Sequence, residues 1–451
     1  MRQRQRGGSE GKGQHGRLQR RIGAAALALA FGWGASASPA QQPATQQTVE
    51  VEKVSDSVRK AHDVYPLAPT ESPSDVEGEL QTVTPQTGAL VDWGIEELFP
   101  QSWTDWRQEM KDRYGFEFGF AYTALFQQAS GGPGRRNAAG GDVDLFGTWR
   151  LIGTADDNPG KLVWAADNRH ALFTELTPAE LGPEIGTLFD TSDGFNERDF
   201  ALRQLFWEQH LFNEKLVLSA GKVDPGNYYN GNRASNDNLL ALNKSLSANP
   251  ARFFPEEGIG ANAKLFPRDD YFLSFGVHDA GAKGTETGLN TVGNGDFLYA
   301  GEFGFTPRLN GELEGFYRFA AWYNDPVDYT GKDSAWGIGV SIGQFITPTA
   351  AIAVRYGWQS ADDVEVEQVF SAQYLAYVGG PRPKDVWGVG AGWGKPSDGD
   401  LDDEFVGETF YRLQLTRNMQ ITPDVQVIVN PSNAPDDDVL AVFGIRLRFA
   451  Y

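Results

Sequence analysis

Side chains able to act as nucleophiles, bases or metal ligands are sparse in this sequence of 451 residues. There is no cysteine, which removes thiol nucleophiles, Cys-based zinc sites, iron–sulfur clusters and disulfide scaffolds together. Beyond residue 40 the histidines are His62, His170, His210 and His278, none beside a serine motif of the kind a Ser-His-Asp hydrolase needs. No metal-ligand spacing and no phosphate-cradling glycine loop stands out, so no cofactor and no metal is expected. The chemistry that is present is polar recognition. Around the stretch 224–258 stand Lys222, Asp224, Asn227, Tyr228, Asn230, Asn232 and Arg233. Carboxamides and hydroxyls pair with the donors and acceptors of a polyhydroxylated solute, while rings stack on its C–H faces. The same composition also serves turns. A second set, Glu312, Glu314, Arg318, Trp322, Arg355, Arg446 and Arg448, falls on single faces of alternating segments. Acids opposed to arginines across a narrow passage would orient dipolar solutes and tune ion selectivity; alternatively they only wet a wall.

The elements that must position these groups have a period of two. Phe116, Phe118, Phe120, Tyr122, Ala124 and Phe126 alternate with Glu117, Gly119, Ala121, Thr123, Leu125 and Gln127, the pattern of a strand with one apolar face. Similar alternation recurs in 311–323, 334–345, 350–359 and 386–394. Sixteen candidate strands follow: 116–127, 142–153, 161–174, 199–211, 215–223, 259–266, 271–279, 296–306, 311–323, 334–345, 350–359, 367–378, 386–394, 405–417, 423–430 and 438–451. Alternation is blurred in 161–174, 199–211, 259–266 and 367–378. Connections alternate between short (212–214, 267–270, 307–310, 346–349, 418–422) and long (175–198, 224–258, 280–295, 324–333, 395–404), and 360–385 fits least well. Short periplasmic turns and longer external loops are the habit of outer-membrane barrels. The expected fold is therefore all-β, a transmembrane antiparallel up-and-down barrel of sixteen strands. A barrel of that size encloses an aqueous lumen, whereas one of eight strands is filled by its own side chains. The loop 224–258 is the candidate to narrow it.

The flanking segments fit export. Residues 1–40 join a basic start to an apolar stretch and small residues, the form of a cleaved signal peptide. Their loss, seven basic residues and one acidic, takes the net charge from −21 to −27. That acidity excludes a nucleic-acid partner. No apolar run approaches the roughly 20 residues of a membrane-spanning helix. Residues 41–91 read as a disordered periplasmic linker, 92–114 as a short amphipathic helix against the rim or plugging it, and 115–451 as the barrel. The final strand ends in Phe449 and Tyr451 on its apolar face, which looks like the signal taken by outer-membrane assembly machinery.

Several runs resemble the carbohydrate-selective porin family. Leu218-Ser219-Ala220-Gly221-Lys222-Val223-Asp224-Pro225-Gly226-Asn227-Tyr228-Tyr229 is similar to its strand and loop opening, and Gly115-Phe116-Glu117-Phe118 with Gly131-Gly132 to its first strand and loop. Pro381 to Gly388, Glu408-Thr409-Phe410-Tyr411, Ile421 to Gln426 with Asn430-Pro431, and Gly444-Ile445-Arg446-Leu447 extend the resemblance over roughly 95–451. It implies an outer-membrane porin for monosaccharides and related small carbohydrates, with lipid and the assembly machinery as further partners and self-association open. Rival classes are a general or ion-selective porin, an adhesive or polysaccharide-export barrel, and a rim-active outer-membrane enzyme.

Overall fold

The structure is a computed structural model and describes residues 75–154, 157–327, 331–361 and 364–451. The expected signal peptide and residues 41–74 of the expected linker lie outside the described residues. Sixteen long strands run β1 Phe116–Ala129, β2 Asn137–Thr154, β3 Asp157–Ala171, β4 Arg198–Leu211, β5 Leu216–Val223, β6 Gly258–Arg268, β7 Tyr271–Asp279 and β8 Phe297–Phe305, then β9 Leu313–Asn324, β10 Ala335–Thr347, β11 Ala350–Gln359, β12 Val366–Gly379, β13 Arg382–Pro396, β14 Glu404–Gln414, β15 Met419–Val429 and β16 Val439–Ala450. A two-residue strand, Arg308–Leu309, extends the β8–β9 hairpin. Each strand pairs antiparallel with its chain neighbour, and β16 closes on β1 in the register Ala121↔Ala450 to Ala129↔Val442. Closure leaves no free edge.

The blurred candidates are all strands, and most of the blurring has a cause. Register shifts interrupt β3 against β4 at Ala165/Ala166 and Asp167/Arg169, inside both segments. A bulge adds one residue and flips the alternation beyond it. By contrast, β12 alternates in burial over 369–379, and its inward Val369, Leu375 and Tyr377 are apolar because loops cover them. The region 360–385 also resolves: Pro381 sits in a tight turn and Arg382–Pro396 is one continuous strand, so the parity of short turns and long loops holds around the barrel. The aromatic faces point outward, where Phe319, Tyr323, Trp336, Trp387, Phe443 and Ile445 are exposed on the outer surface of the barrel. Among the described residues no helix is long and apolar enough to cross a membrane, and a closed barrel satisfies its backbone without one.

The segment before β1 departs from expectation. Residues 76–82, expected inside a disordered linker, form helix α1 (Val76–Thr82), whose Val76, Glu79 and Leu80 are buried against the inward-facing Ala121, Phe146, Val163, Phe206 and Ala450. Helix α2 (Gln101–Tyr114) instead lies outside, on the rim at the short-turn end. There Trp106 packs on Phe118, Phe99 stacks on Tyr451 at 5.2 Å, and the Trp103 indole donates to the Tyr451 hydroxyl at 3.1 Å.

Candidate channel lining and constriction

The loop between β5 and β6 folds into the lumen rather than over the surface. Its local shape comes from asparagines accepting from the backbone N–H two residues on: Asn232 from Ala234 at 2.9 Å, Asn236 from Asn238 at 2.9 Å, Asn243 from Ser245 at 3.1 Å. These Asx turns account for much of the asparagine content that the sequence offers for solute binding. Ala234, Leu239, Leu240, Ala241 and Leu246 then pack on Phe345, Leu375, Tyr377, Val386 and Phe410 of the β10–β14 wall. Wall side chains satisfy the loop backbone. Arg446 donates to the carbonyls of Leu240 (2.9 Å) and Asp237, Arg412 to Leu239 (3.3 Å), and Arg355 to Leu246 (3.4 Å) and Ala248. Glu408 accepts from the N–H groups of Leu242 (2.6 Å) and Asn243 (2.9 Å).

A second inward loop joins β3 to β4. Thr177 and Glu180 cap helix α3 (Pro178–Ile185) reciprocally, with proline at its first position. Leu176, Leu181, Ile185, Leu188 and Phe189 pack on Val366, Val406, Ile428, Leu440 and Val442, so part of the inner wall is apolar where a loop covers it. Glu404 receives the N–H groups of Leu188 at 2.7 Å and Phe189 at 3.1 Å. The run Thr177-Pro178-Ala179-Glu180 is a legible helix start; what holds the loop inward, the apolar wall cluster and Glu404, comes more than 180 residues later in the chain.

A cavity of about 330 Å³ lies between the first residues of the β5–β6 loop and the inner faces of β3 to β6. Asn227, Tyr228, Arg233 and Arg318 of the expected lining border it, together with Gln204, Glu208, His210, Asn262, Lys264 and the start of α1. Asn227 donates to Gln204 at 3.2 Å, Arg233 lies over the Phe316 ring at 4.0 Å, and Arg318 pairs with Glu302 at 3.2 Å. Opposite charges continue along the strands as Lys161–Glu208 at 2.9 Å with His210 on the same carboxylate at 2.8 Å.

Other expected lining residues do different work. Lys222 is on the outer face with Leu218 and Ala220, and its ammonium donates to the carbonyls of Leu202 (2.9 Å), Gly284 (2.6 Å) and Glu286 (2.5 Å); it fastens the β7–β8 loop and is not pore-lining. Glu312 is exposed in the β8–β9 turn and Glu314 pairs with Arg308 at 3.2 Å beside it, so both belong to the short-turn rim. Asp224 caps the Gly226 N–H at 2.7 Å. Asn230 and Asn232 are buried inside the loop fold, Asn230 accepting from Asn249 at 2.8 Å. Trp322 faces inward but is covered edge-on by Phe254 at 5.3 Å. Arg355 and Arg446 anchor the inward loop, and Arg448 reaches Thr123 at 3.0 Å and Glu79 of α1 at 2.5 Å. Their chemistry is spent on holding the constriction in place.

A charge ladder that alternation alone did not reveal crosses the β2–β4 wall. Arg169 lies 3.3 Å from Asp142 and 3.2 Å from Asp167, Arg203 lies 3.3 Å from Asp167 and 2.7 Å from Glu257, and Arg198 lies 3.6 Å from Glu257. The carboxylates of Asp142, Asp144 and Asp167 converge closely enough to hold a cation, but the arginines already supply the counter-charge. In the loops, burial pushes the Asp237 carboxyl up to about 7 with Asp193 adding to the effect, whereas Asp190 at 2.7 Å holds Lys244 protonated.

Residues 170–451 match the family described as "Carbohydrate-selective porin, OprB family". Porin AaxA of Chlamydia abortus is 21% identical over 57% of this chain and 58% of its own length, and Porin AaxA of Chlamydia caviae 22% over 59% and 60%. The chain thus spans less than two thirds of these relatives. The high-pH structure of Pseudomonas putida OprB superposes with a TM-score of 0.65 at 16% identity, covering 78% of this chain and 97% of that one, which shows the shared barrel fold. A sixteen-stranded closed barrel, two inward loops and a family match over more than half its length place the chain in the carbohydrate-selective porin family.

Proposed function

We propose that this protein lets small carbohydrates, monosaccharides such as glucose, diffuse passively across the outer membrane. The observation that carries the reading is the lumenal cavity of about 330 Å³, bordered by carboxamides, a tyrosine and fixed opposite charges. A passing sugar exchanges water for paired donors and acceptors there, and Tyr228 offers a ring face to its C–H groups. The arginines and acids along the passage are mostly paired, so they provide dipoles rather than a net field for one sign of ion. Residues 1–40 act as a cleaved export signal, Phe449 and Tyr451 as the strand end taken by the barrel assembly machinery, and the aromatic outer faces meet lipid.

Conductance across planar bilayers with graded glucose tests this. Concentration-dependent block is the expected result, with a smaller block by a disaccharide. Large conductance without block would make the protein a general or ion-selective porin, and no conductance would remove the pore.

A further inference from the structure

Helix α1 stands in the lumen, where the barrel does not need it. The strands close on one another without it, and seven residues are too few to hold a helix in isolation. Its order comes from two kinds of contact. Val76 and Leu80 sit among Phe146, Val163 and Phe206, and Glu79, almost wholly buried, joins three parts of the molecule. Glu79 accepts from Arg448 of the closing strand at 2.5 Å and from Asn236 of the inward loop at 3.3 Å, while Thr82 of the same helix takes a third bond from Arg448 at 3.3 Å. Glu77 pairs with Lys161 of β3, the lysine that also holds Glu208. Asp75, Val76 and Glu77 thereby form part of the border of the cavity.

The chain then leaves the lumen over the rim. Val83 lies against Gly119, where an added Cβ would meet it at 2.9 Å. Gln86, Leu90 and Val91 donate to the carbonyls of Arg417 (2.8 Å), Gln414 (2.9 Å) and Leu415 (2.9 Å) at the β14–β15 turn, and α2 continues outside. The segment is therefore a strap fastened at the rim, whose first residues lie in the lumen at the border of the cavity.

From this placement we propose that residues 75–83 are a second, removable constriction that sets the size limit for solutes leaving the cavity toward the short-turn end. The inference rests on the pore reading above and names what limits that pore from below. It requires no chemistry beyond the contacts given: the inward loops are tied to the wall by many bonds along their length, whereas α1 is held through Glu79 with Arg448 and Asn236, Thr82 with Arg448, Glu77 with Lys161, and the apolar Val76, Leu80 and Val83.

The test uses the full chain with Val76→Asp and Leu80→Asp, which place carboxylates against the apolar cluster of Phe146, Val163 and Phe206 and so loosen the helix while leaving wall and loops unaltered. Glu79→Gln is a milder companion that keeps hydrogen bonding and removes the charge. Heat-resistant gel mobility reports whether each barrel is folded. Vesicle swelling in mono-, di- and trisaccharides gives the size profile. The double variant should raise the disaccharide-to-monosaccharide rate ratio about threefold and the ion conductance with it, the expected consequence of a wider lining, and Glu79→Gln should move both in the same direction by less. Unchanged ratios and conductance in folded variants would overturn the constriction and leave the sugar pore standing. A parent chain that passes no monosaccharide, with variants whose ion conductance nonetheless rises, would overturn the sugar reading and keep the constriction.

Discussion

At the scale of single residues, the ionisable groups divide into those that hold loops and those that border solute. Asp237 belongs to the first kind. Its carboxyl is buried in the inward loop and titrates at about 7, against roughly 3.9 for an unfolded chain. The folded state therefore keeps a proton that the unfolded state releases, and stability falls as pH rises from about 4 to about 7, then levels. Asp193, also raised by burial, acts with the same sign. Limited proteolysis of the loop should accordingly be slower at pH 5 than at pH 8, and Asp237→Asn should reduce that difference; an identical pH dependence in the variant would contradict the assignment. Arg446 and Lys222 make a matched pair of controls. Arg446→Ala leaves two loop carbonyls unpaired, at about 1–3 kcal/mol for each buried group, and should raise single-channel conductance and its noise. Lys222→Met, on the outer face, should leave both unchanged.

At the scale of elements, the wall is shaped to receive the loops. An added Cβ at Gly339 would meet Asn230 at 2.5 Å, at Gly357 Asn249 at 2.2 Å, and at Gly394 the Phe189 ring at 2.2 Å. The glycine content of the inward faces thus answers to what lies on them as well as to the strand. Gly394→Val should unseat the β3–β4 loop, speeding its proteolysis severalfold with little effect on barrel unfolding, which exchange protection of β13 amides would check. This division also explains what was legible in the sequence. Outward faces such as Trp336, Ile338, Val340 and Ile342 meet one uniform surrounding along the whole strand, so period two shows plainly. Inward faces meet water in one place, a loop in another and α1 in a third, so Arg355 and Arg446 looked like free wall charges. Helix α1 was hidden for a related reason: its Glu77 and Glu79 read as solvated acids, and seven residues carry too little periodicity to outweigh them. Lys222 was misplaced because β5 is short, and its polar side chain suggested the lumen where its alternation with Ser219 and Leu218 pointed outward.

At the scale of the whole molecule, the two chain ends of the barrel meet at one rim. Tyr451 stacks on Phe99, accepts from Trp103 and lies 4.6 Å under the Arg107 guanidinium. Deleting Tyr451 should release α2 and lower the temperature at which the barrel loses its compact gel mobility; loss of outer-membrane yield without that shift would assign the residue to assembly alone. The strand that ends there carries a further consequence. Arg446 and Arg448 lie on β16, the last strand made, and they secure the inward loop and α1 across separations of 206 and 369 residues. The inward loop has further anchors on β11 and β14, but its bonds to Arg446 and the ion pair of α1 form only once β16 is in place beside β1. Sealing the cylinder and completing its constriction thus fall together in time. An unfinished barrel has an open seam and a helix without its ion pair, and the strand that shuts the wall draws the last bolt across the bore.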